Sequence, residues 1–333
     1  MKKLTYSLLP LGITFGLCLN IAPASAGLVV QNVISNAALS IDGFGSLSNN
    51  GVIQANIPTG SIIQRAYLYA ASVWNNPVNG VTFHGNALSV GSATILGPDE
   101  NPATTARWDV TSIIDSSFTG GLQDFSILEN GQNDGAVLVV AYSNPSTQGF
   151  TSVILDGELS TKGDTVQFDF VSPYTGGDFL VSLASSYSRQ PSEQFTQIDV
   201  TTNSTINRRL TTSAGGQDDG EGDDGALITV GGIGDDPTNP GPLDSPFGGP
   251  RIDDEYYNLA LGNSANSAPF ISAGDKYLRL KTANPSNDDN VFGMFITSGF
   301  KITVTPVPEP SMTLGIFGIG AIGILLSRLG KKS

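Results

Sequence analysis

Residues that support most enzymatic and metal chemistry are scarce in this sequence. It contains one cysteine, Cys18, and one histidine, His84. Zinc sites built from cysteine and histidine need several such ligands, so the composition excludes them, and a lone cysteine forms no internal disulfide. Charged residues make up 14% of the 333 residues, against roughly 25% in an average soluble protein.

Cations are scarcer than anions. The chain has 16 Lys and Arg against 30 Asp and Glu, a formal net charge of −14. A protein that binds nucleic-acid phosphates needs Lys and Arg clustered on one face. The sequence therefore predicts no nucleic-acid partner.

The first of two long apolar runs lies near the start of the chain. Residues 1–26 have the three parts of a secretory signal peptide: a positive start, an apolar run over residues 8–21 and a small-residue cleavage site. The residues concerned are Lys2, Lys3, Ala24, Ala26 and the predicted first mature residue, Gly27. An N-terminal membrane anchor is the alternative, whereas Leu17 before Cys18 disfavours a lipoprotein signal. The predicted mature protein has no cysteine, so core burial or bound ions must replace disulfides.

The second apolar run, residues 312–326, lies between a Pro/Glu motif and a basic tail. The motif and tail residues are Val307, Pro308, Glu309, Pro310, Arg328, Lys331 and Lys332. The run is near the lower limit for a membrane-spanning helix, about 17 residues, and the positive-inside bias places its basic end in the cytoplasm. This order of motif, transmembrane helix and basic tail over residues 307–333 resembles the PEP-CTERM sorting signal.

The resemblance implies that a membrane protease of the exosortase type cuts the chain near the PEP motif. The expected partners are signal peptidase, the secretion machinery, that protease and, transiently, the inner membrane. The expected final location is the cell surface or the extracellular space. A plain single-span anchor is the alternative, and in both cases the bulk of the chain faces away from the cytoplasm.

The exported part, residues 27–306, is strongly acidic. Without the two terminal segments its formal net charge is about −18, which favours solubility and association with divalent cations. The same charge opposes adsorption to anionic lipid or polysaccharide unless a cation bridges the two surfaces.

Short runs rich in Val, Ile, Thr, Phe and Tyr fill this exported part, separated by Gly, Asn, Pro and Asp. The pattern predicts an all-β ectodomain of the β-sandwich or jelly-roll type. Predicted strands cover residues 28–34, 62–70, 81–83, 136–142, 150–155, 165–170, 179–185, 276–282 and 299–305. Residues 136–142 are apolar on both faces, which predicts a central strand.

Two helical segments and one long loop interrupt the predicted strands. One helical turn is predicted over residues 109–114, and a second short helix near residues 192–197. Residues 213–250 are rich in Gly, Asp and Pro and predict a long loop with a strand-like stretch at residues 226–230. The loop either separates two domains or returns to the same core. We favour one elaborated sandwich over residues 27–306.

A series of short motifs resembles an extracellular module of bacterial surface proteins. The module's pattern runs AYLYW, V-x-NG, ADVT, LVVVY, DG and GEGD. In this chain its pieces are at residues 65–69, 81–85, 108–111, 135–142, 156–157 and 220–224. Ala70 replaces the module's Trp, and His84 replaces its Asn. The resemblance implies a β-rich ectodomain and no particular reaction.

Five carboxylates within seven residues form the candidate metal site. They are Asp218, Asp219, Glu221, Asp223 and Asp224. Hard cations such as Ca²⁺ take six to eight oxygen ligands, and glycines let a loop wrap around them, although the spacing is not that of an EF-hand. A solvated acidic turn is the alternative. Residues 253–255 and 284–290 are also acidic or Asn-rich, and are either turns or loop ligands for a metal or sugar.

Candidate sugar-stacking aromatics are Trp74, Tyr256 and Tyr257, which lie beside polar residues. Burial in the core is the alternative for each of them. His84 is the only histidine for a catalytic triad, but no G-x-S-x-G motif nominates a serine, so we interpret it as a hairpin residue. A glycosidase needs two carboxylates that face each other, and no pattern in the sequence identifies such a pair.

These observations favour a structural or adhesive surface protein of biofilm or exopolysaccharide, with no enzymatic activity. A Ca²⁺-dependent carbohydrate-binding module, with extracellular polysaccharide as partner, is the second hypothesis. A secreted polysaccharide hydrolase is the third.

Overall fold

The computed structural model describes residues 27–45, 48–72, 76–97, 104–158, 163–186, 196–214, 228–238, 255–262, 267–284 and 290–306. The predicted signal peptide and the segment 307–333, with its predicted helix at 312–326, lie outside these ranges. Most described residues are in antiparallel strands, which confirms the all-β prediction.

The described elements are short strands with very little helix. The strands of the first half are β1 (Val29–Ser35), β2 (Ala38–Phe44), β3 (Asn50–Ile57), β4 (Ile62–Ser72), β5 (Val81–Phe83), β6 (Asn86–Leu88), β7 (Thr94–Ile95), β8 (Thr105–Asp109), β9 (Gly121–Glu129) and β10 (Asn133–Ser143). Those of the second half are β11 (Thr151–Asp156), β12 (Thr165–Phe170), β13 (Phe179–Ser186), β14 (Thr196–Thr202), β15 (Arg208–Ala214), β16 (Ile228–Val230), β17 (Tyr256–Asn258), β18 (Tyr277–Ala283), β19 (Asn290–Ser298) and β20 (Ile302–Pro306). Within the same ranges there are one α-helix and two 3-10 turns, α1 (Thr111–Ser117), Val90–Ser92 and Pro145–Thr147.

Within the described ranges the strands form four antiparallel sheets, which we name by their place in a stack. The first outer sheet has the order β3-β9-β5-β6, and the first inner sheet has the order β2-β10-β4-β8-β7. The second inner sheet has the order β1-β11-β19-β13, with β16 and β17 both paired to β13. The second outer sheet has the order β15-β14-β18-β12-β20.

Three apolar cores show that the sheets lie face to face in that order. One core lies between the first outer and first inner sheets, one between the two inner sheets, and one between the second inner and second outer sheets. The inner sheets are therefore buried on both faces. In β10, Leu138 and Val140 face one core while Val137 and Val139 face the other, which confirms the predicted central strand.

The outer sheets have one face in a core and one in solvent, and their sequences alternate accordingly. In β12, Val166, Phe168 and Phe170 are buried while the residues between them are half-exposed. This is the pattern expected of an antiparallel sheet packed on one side only. The difference between continuous and alternating apolar runs thus separates inner from outer strands.

The two helical predictions have different outcomes. α1 begins at Thr111, inside the predicted turn, and its first N–H donates to Asp109 Oδ1 at 3.0 Å. The helix predicted near residues 192–197 is wrong for the residues that the structure describes, because residues 196–197 begin β14. That strand buries every second residue, including Ile198 and Val200, and burial at period two favours a strand.

His84 lies in the turn of a hairpin between β5 and β6, as the sequence predicts. Its φ is 47° and that of Gly85 is 77°, the two left-handed conformations of a type I′ turn. Among residues other than glycine, Asn, Asp and His adopt this region most readily. The exchange of the surface module's Asn for His84 therefore preserves the turn.

Two side chains of β2 accept hydrogen bonds from the free edge of β3. The N–H of Gln54 donates to Asp42 Oδ2 at 2.5 Å, and the N–H of Asn56 donates to Ser40 Oγ at 2.8 Å. Both acceptor residues are buried. These bonds satisfy donors that an open sheet edge would present to another chain, and they tie the first outer sheet to the first inner one.

A buried ion pair joins the two inner sheets. Arg107 Nη1 on β8 and the hydroxyl of Tyr69 on β4 donate to the same Oδ2 of Asp156 on β11, at 2.5 and 2.8 Å. The guanidinium carbon lies 4.9 Å from the ring centroid of Tyr67, a cation–π contact. The Tyr67 hydroxyl donates to Asn32 Oδ1 on β1 at 2.9 Å. Every one of these contacts crosses from one inner sheet to the other or supports a residue that does.

The pKa of Asp42 predicts how the stability of the protein depends on pH. Burial raises its pKa to about 7, against the opposing effect of the Gln54 N–H. The folded state therefore binds the proton of the Asp42 carboxyl more tightly than the unfolded state does. The stabilisation that this proton gives the folded state is complete below the unfolded pKa of about 4 and is lost as pH rises through 7. We expect the free energy of unfolding to fall over pH 4–7, with Asp42 contributing up to about 1.4 kcal/mol per pH unit.

Urea denaturation of the wild type and of Asp42→Asn at several pH values measures this slope. The substitution keeps an acceptor for the Gln54 N–H but removes the titration, so the slope should flatten. The exposed Asp115 on α1 provides the control, and Asp115→Asn should leave the slope in place. Equal slopes in wild type and Asp42→Asn would contradict the assignment.

The ion pair between the inner sheets predicts a large loss of stability when one partner is removed. Asp156→Asn and Arg107→Met each leave the other group buried without its opposite charge, which costs about 3–5 kcal/mol. The control is Arg65→Met, because the Arg65–Asp109 pair at 3.1 Å has side chains 40% and 50% exposed and contributes about 0–1 kcal/mol. The measurement is the urea midpoint at neutral pH, and similar losses in all three variants would count against a special role for the buried pair.

Candidate functional site

The buried ion pair has the electrostatics of a functional site but is closed to solvent. Burial raises the pKa of Asp156, against the lowering effect of Arg107, and burial together with Asp156 raises the pKa of Tyr69 well above its usual range. Perturbed pKa values often mark active sites. However, Asp156 is 1% exposed and Tyr69 is fully buried, so no substrate reaches them in this structure. The arrangement holds the inner sheets together.

Most pieces of the surface-module pattern contribute to this packing. Tyr67 and Tyr69 come from the AYLY piece and Asp156 from the DG piece, and they meet at the ion pair. In the WDVT piece, Thr111 Oγ1 accepts the N–H of Ala66 at 2.9 Å. The GEGD piece, residues 220–224, lies outside the described residues. The described pieces named here are therefore explained by contacts between strands, and the piece at residues 81–85 by the His84–Gly85 turn.

A shallow recess lies at the end of the second outer sheet where β12 finishes and β20 starts. Its volume is about 210 Å³, and its lining residues are Val171, Ser172, Pro173, Tyr174, Thr175, Gly176, Phe300 and Lys301. The rings of Tyr174 and Phe300 lie 5.3 Å apart, and Phe300 packs edge-on against Phe170 at 5.0 Å. Sequence analysis did not single out these residues, although a Pro-Tyr-Thr-Gly-Gly loop was the available signal.

The recess combines half-buried rings with exposed polar groups. Tyr174 is fixed because its hydroxyl donates to Gly177 O at 2.9 Å, and burial, with Asp178 as the smaller cause, raises its pKa. Lys301 is exposed at the rim. Aromatic rings with an apolar face and polar groups beside them are suited to a sugar or another amphipathic ring.

The structure describes only some of the residues predicted to bind a ligand. Tyr257 on β17 is 1% exposed in the core between the second inner and second outer sheets, so it is a core ring rather than a stacking platform. Tyr256 is half-buried and pairs with Ser182 on β13, and its stacking role stays a prediction. The predicted Ca²⁺ loop, residues 218–224, and Trp74 lie outside the described residues.

The described residues contain neither a cluster of metal-ligating side chains nor a membrane-spanning helix. Among those residues, no group of three His, Cys, Asp or Glu side chains is placed to hold a metal ion. No helix within the same ranges has the length and apolar character needed to cross a bilayer.

The junctions with the two terminal segments lie side by side. The backbone N–H of Gly27 donates to Asp164 Oδ1 at 2.9 Å. Pro306, the last residue of β20, pairs with Val166, two residues beyond Asp164. Since neighbouring strands are about 4.8 Å apart and residues about 3.3 Å apart along a strand, the two junctions are within roughly 10–15 Å of each other.

Comparison with known proteins gives one informative match. No curated protein matches the chain. Among solved structures, the major capsid protein P2 of bacteriophage PM2 aligns over 80% of this chain and 98% of its own, with 11% identity and a TM-score of 0.19, a likeness that carries no argument. A family model described as the PEP-CTERM protein-sorting motif matches residues 306–331, which confirms the resemblance of the segment that starts at Val307. The chain thus carries a PEP-CTERM sorting motif, the signal of an exported protein that is held transiently in the membrane and processed by an exosortase.

Proposed function

We propose that the mature protein is a structural or adhesive component of the cell surface or the extracellular polysaccharide matrix and has no catalytic activity of its own. One observation carries this proposal: the sorting motif starts at Pro306, the residue at which β20 ends. Apart from Pro306 itself, the described strands therefore lie on the N-terminal side of the motif. Processing within the motif delivers them intact.

The charge of the exported part supports a role in a hydrated matrix. A net charge of about −18 keeps the domain soluble and repels acidic polysaccharide directly. Divalent cations that bind both partners turn this repulsion into attraction. The proposal therefore includes cation-dependent retention in the matrix, with the acidic loop at residues 218–224 as the proposed contact.

Processing depends on the PEP residues under this proposal. We expect Pro308→Ala combined with Glu309→Ala to leave uncut protein in the membrane fraction, because the protease no longer recognises its motif. Ser311→Ala, the residue that follows Pro310 and is not one of the Pro/Glu residues, is the control and should be processed normally. Mass spectrometry of the extracellular and membrane fractions measures the products, and unchanged processing of the double variant would refute the dependence.

Matrix retention is tested with the protein secreted by its own cells. The mature protein should co-sediment with extracellular polysaccharide in Ca²⁺ and be released by a chelator. Deletion of the gene should weaken the matrix, and the wild-type chain should restore it. Protein that stays in the medium with Ca²⁺ present, together with an unchanged matrix after deletion, would exclude the adhesive role.

The recess at residues 171–176 and 300–301 favours carbohydrate binding as a second candidate function. Tyr174→Ala and Lys301→Ala should each weaken glycan binding by about tenfold or more, which corresponds to about 1.4 kcal/mol. Tyr277→Ala, a half-buried tyrosine on β18, is the control. A glycan array with and without a chelator identifies the ligand and its cation dependence, and an array without any bound glycan would remove this candidate.

A further inference from the structure

Gly27 lies inside the fold rather than at its surface. It is a buried residue, and the bond from its nitrogen to Asp164 Oδ1 is 2.9 Å long in buried surroundings. The next residue, Leu28, is 5% exposed and belongs to the core between the second inner and second outer sheets. The predicted first mature residue is thus anchored from its first atom onward.

The surroundings of Gly27 are closely fitted to it. A Cβ on Gly157 would lie 1.5 Å from the carbonyl oxygen of Gly27, and Gly157 has a φ of +152°. Glycine at position 157 therefore makes room for the start of the chain. The two residues of the DG piece thus have different contacts. Gly157 leaves space for Gly27, and Asp156 pairs with Arg107.

Asp164 is held in place by the neighbouring strand. Its N–H donates to Thr282 Oγ1 at 2.7 Å, and the N–H of Thr282 donates to the carbonyl oxygen of Asp164 at 2.8 Å. The backbone of residue 164 is therefore fixed to β18. Its carboxylate therefore extends towards Gly27 from a backbone that is held in place.

We propose that cutting the chain before Gly27 converts this contact into a buried ion pair between the new α-ammonium group and Asp164, so that removal of the signal peptide completes the fold. Hydrolysis adds water across the Ala26–Gly27 amide and leaves a carboxylate on Ala26 and an amine on Gly27. The amine binds a proton at neutral pH, since the ordinary pKa of an α-amino group is about 7.7–8.0. The proposal depends on export and on the position of the cut, and it is independent of the adhesive role.

The physical consequence is a difference between cut and uncut chains. The uncut chain offers Asp164 one neutral N–H, whereas the cut chain offers a cation with three donors, and charge-assisted hydrogen bonds are about twice as strong as neutral ones. A buried ammonium group also requires a partner of opposite charge.

The reactivity of the α-amine tests the ion pair in the exported wild-type protein. A nearby carboxylate keeps the amine protonated, so labelling by an amine-reactive ester at neutral pH should be at least about tenfold slower than for a Gly-Leu-Val peptide. Asp164→Asn should restore fast labelling. Asp169→Asn, a half-exposed carboxylate on β12, the strand that begins one residue after Asp164, is the matched control and should leave the rate unchanged.

A second variant keeps Asp164 and moves the charge instead. A Gly-Ser dipeptide inserted between Ala26 and Gly27 preserves the cleavage site and displaces the ammonium group from Asp164. This variant should have a lower urea midpoint than the wild type, and adding Asp164→Asn to it should lower the midpoint less than Asp164→Asn does in the wild type. Mass spectrometry that finds a first residue other than Gly27, or labelling as fast as that of the free peptide, would overturn the proposal.

Discussion

The packing of the two inner sheets against each other is the constraint on which the rest of the structure depends. Each inner sheet is covered on its other face by an outer sheet, so their mutual contact holds the two halves of the stack together. That contact is not purely apolar: Arg107, Asp156 and Tyr69 form a bonded group among the aromatic rings of Phe292 and Phe295, each 5.7 Å from Tyr69. A directional bond inside an apolar layer fixes the alignment of the two sheets, whereas apolar packing alone does not.

Carboxylates have a structural role throughout this acidic chain. Asp42 accepts a strand-edge N–H, Asp156 accepts a guanidinium and a phenol, and Asp164 accepts the N–H of Gly27. Each lies where two sheets or two chain segments must be joined. The chain has a single cysteine and can form no internal disulfide, so such bonds serve in place of covalent links, although they are sensitive to pH where disulfides are not.

Local patterns in the sequence are sufficient for much of the strand content but not for the arrangement of the sheets. The apolar run of β10 and the His84–Gly85 turn follow from residue type alone. The pairing of Arg107 with Asp156 joins residues 49 positions apart, and no local pattern indicates it. Tyr257 stands beside acidic residues in the sequence and is nevertheless in a core, because β17 adds to β13. Asp164 follows a glycine, as many turn residues do, so its sequence context predicts only a turn. Its hydrogen bond with Gly27 joins residues 137 positions apart and is visible only in the structure.

The antiparallel pairing of β12 with β20 gives the molecule two distinct poles. Val166 and Pro306 are partners at one end, and Phe170 and Ile302 are partners at the other, about 13 Å away at 3.3 Å per residue. Gly27, the predicted first mature residue, and Pro306, the first residue matched by the sorting-motif model, both lie near the first pole. The aromatic recess, with Val171 and Lys301 in its lining, lies at the second pole, so it is at the opposite end of the β12–β20 pair from both junctions.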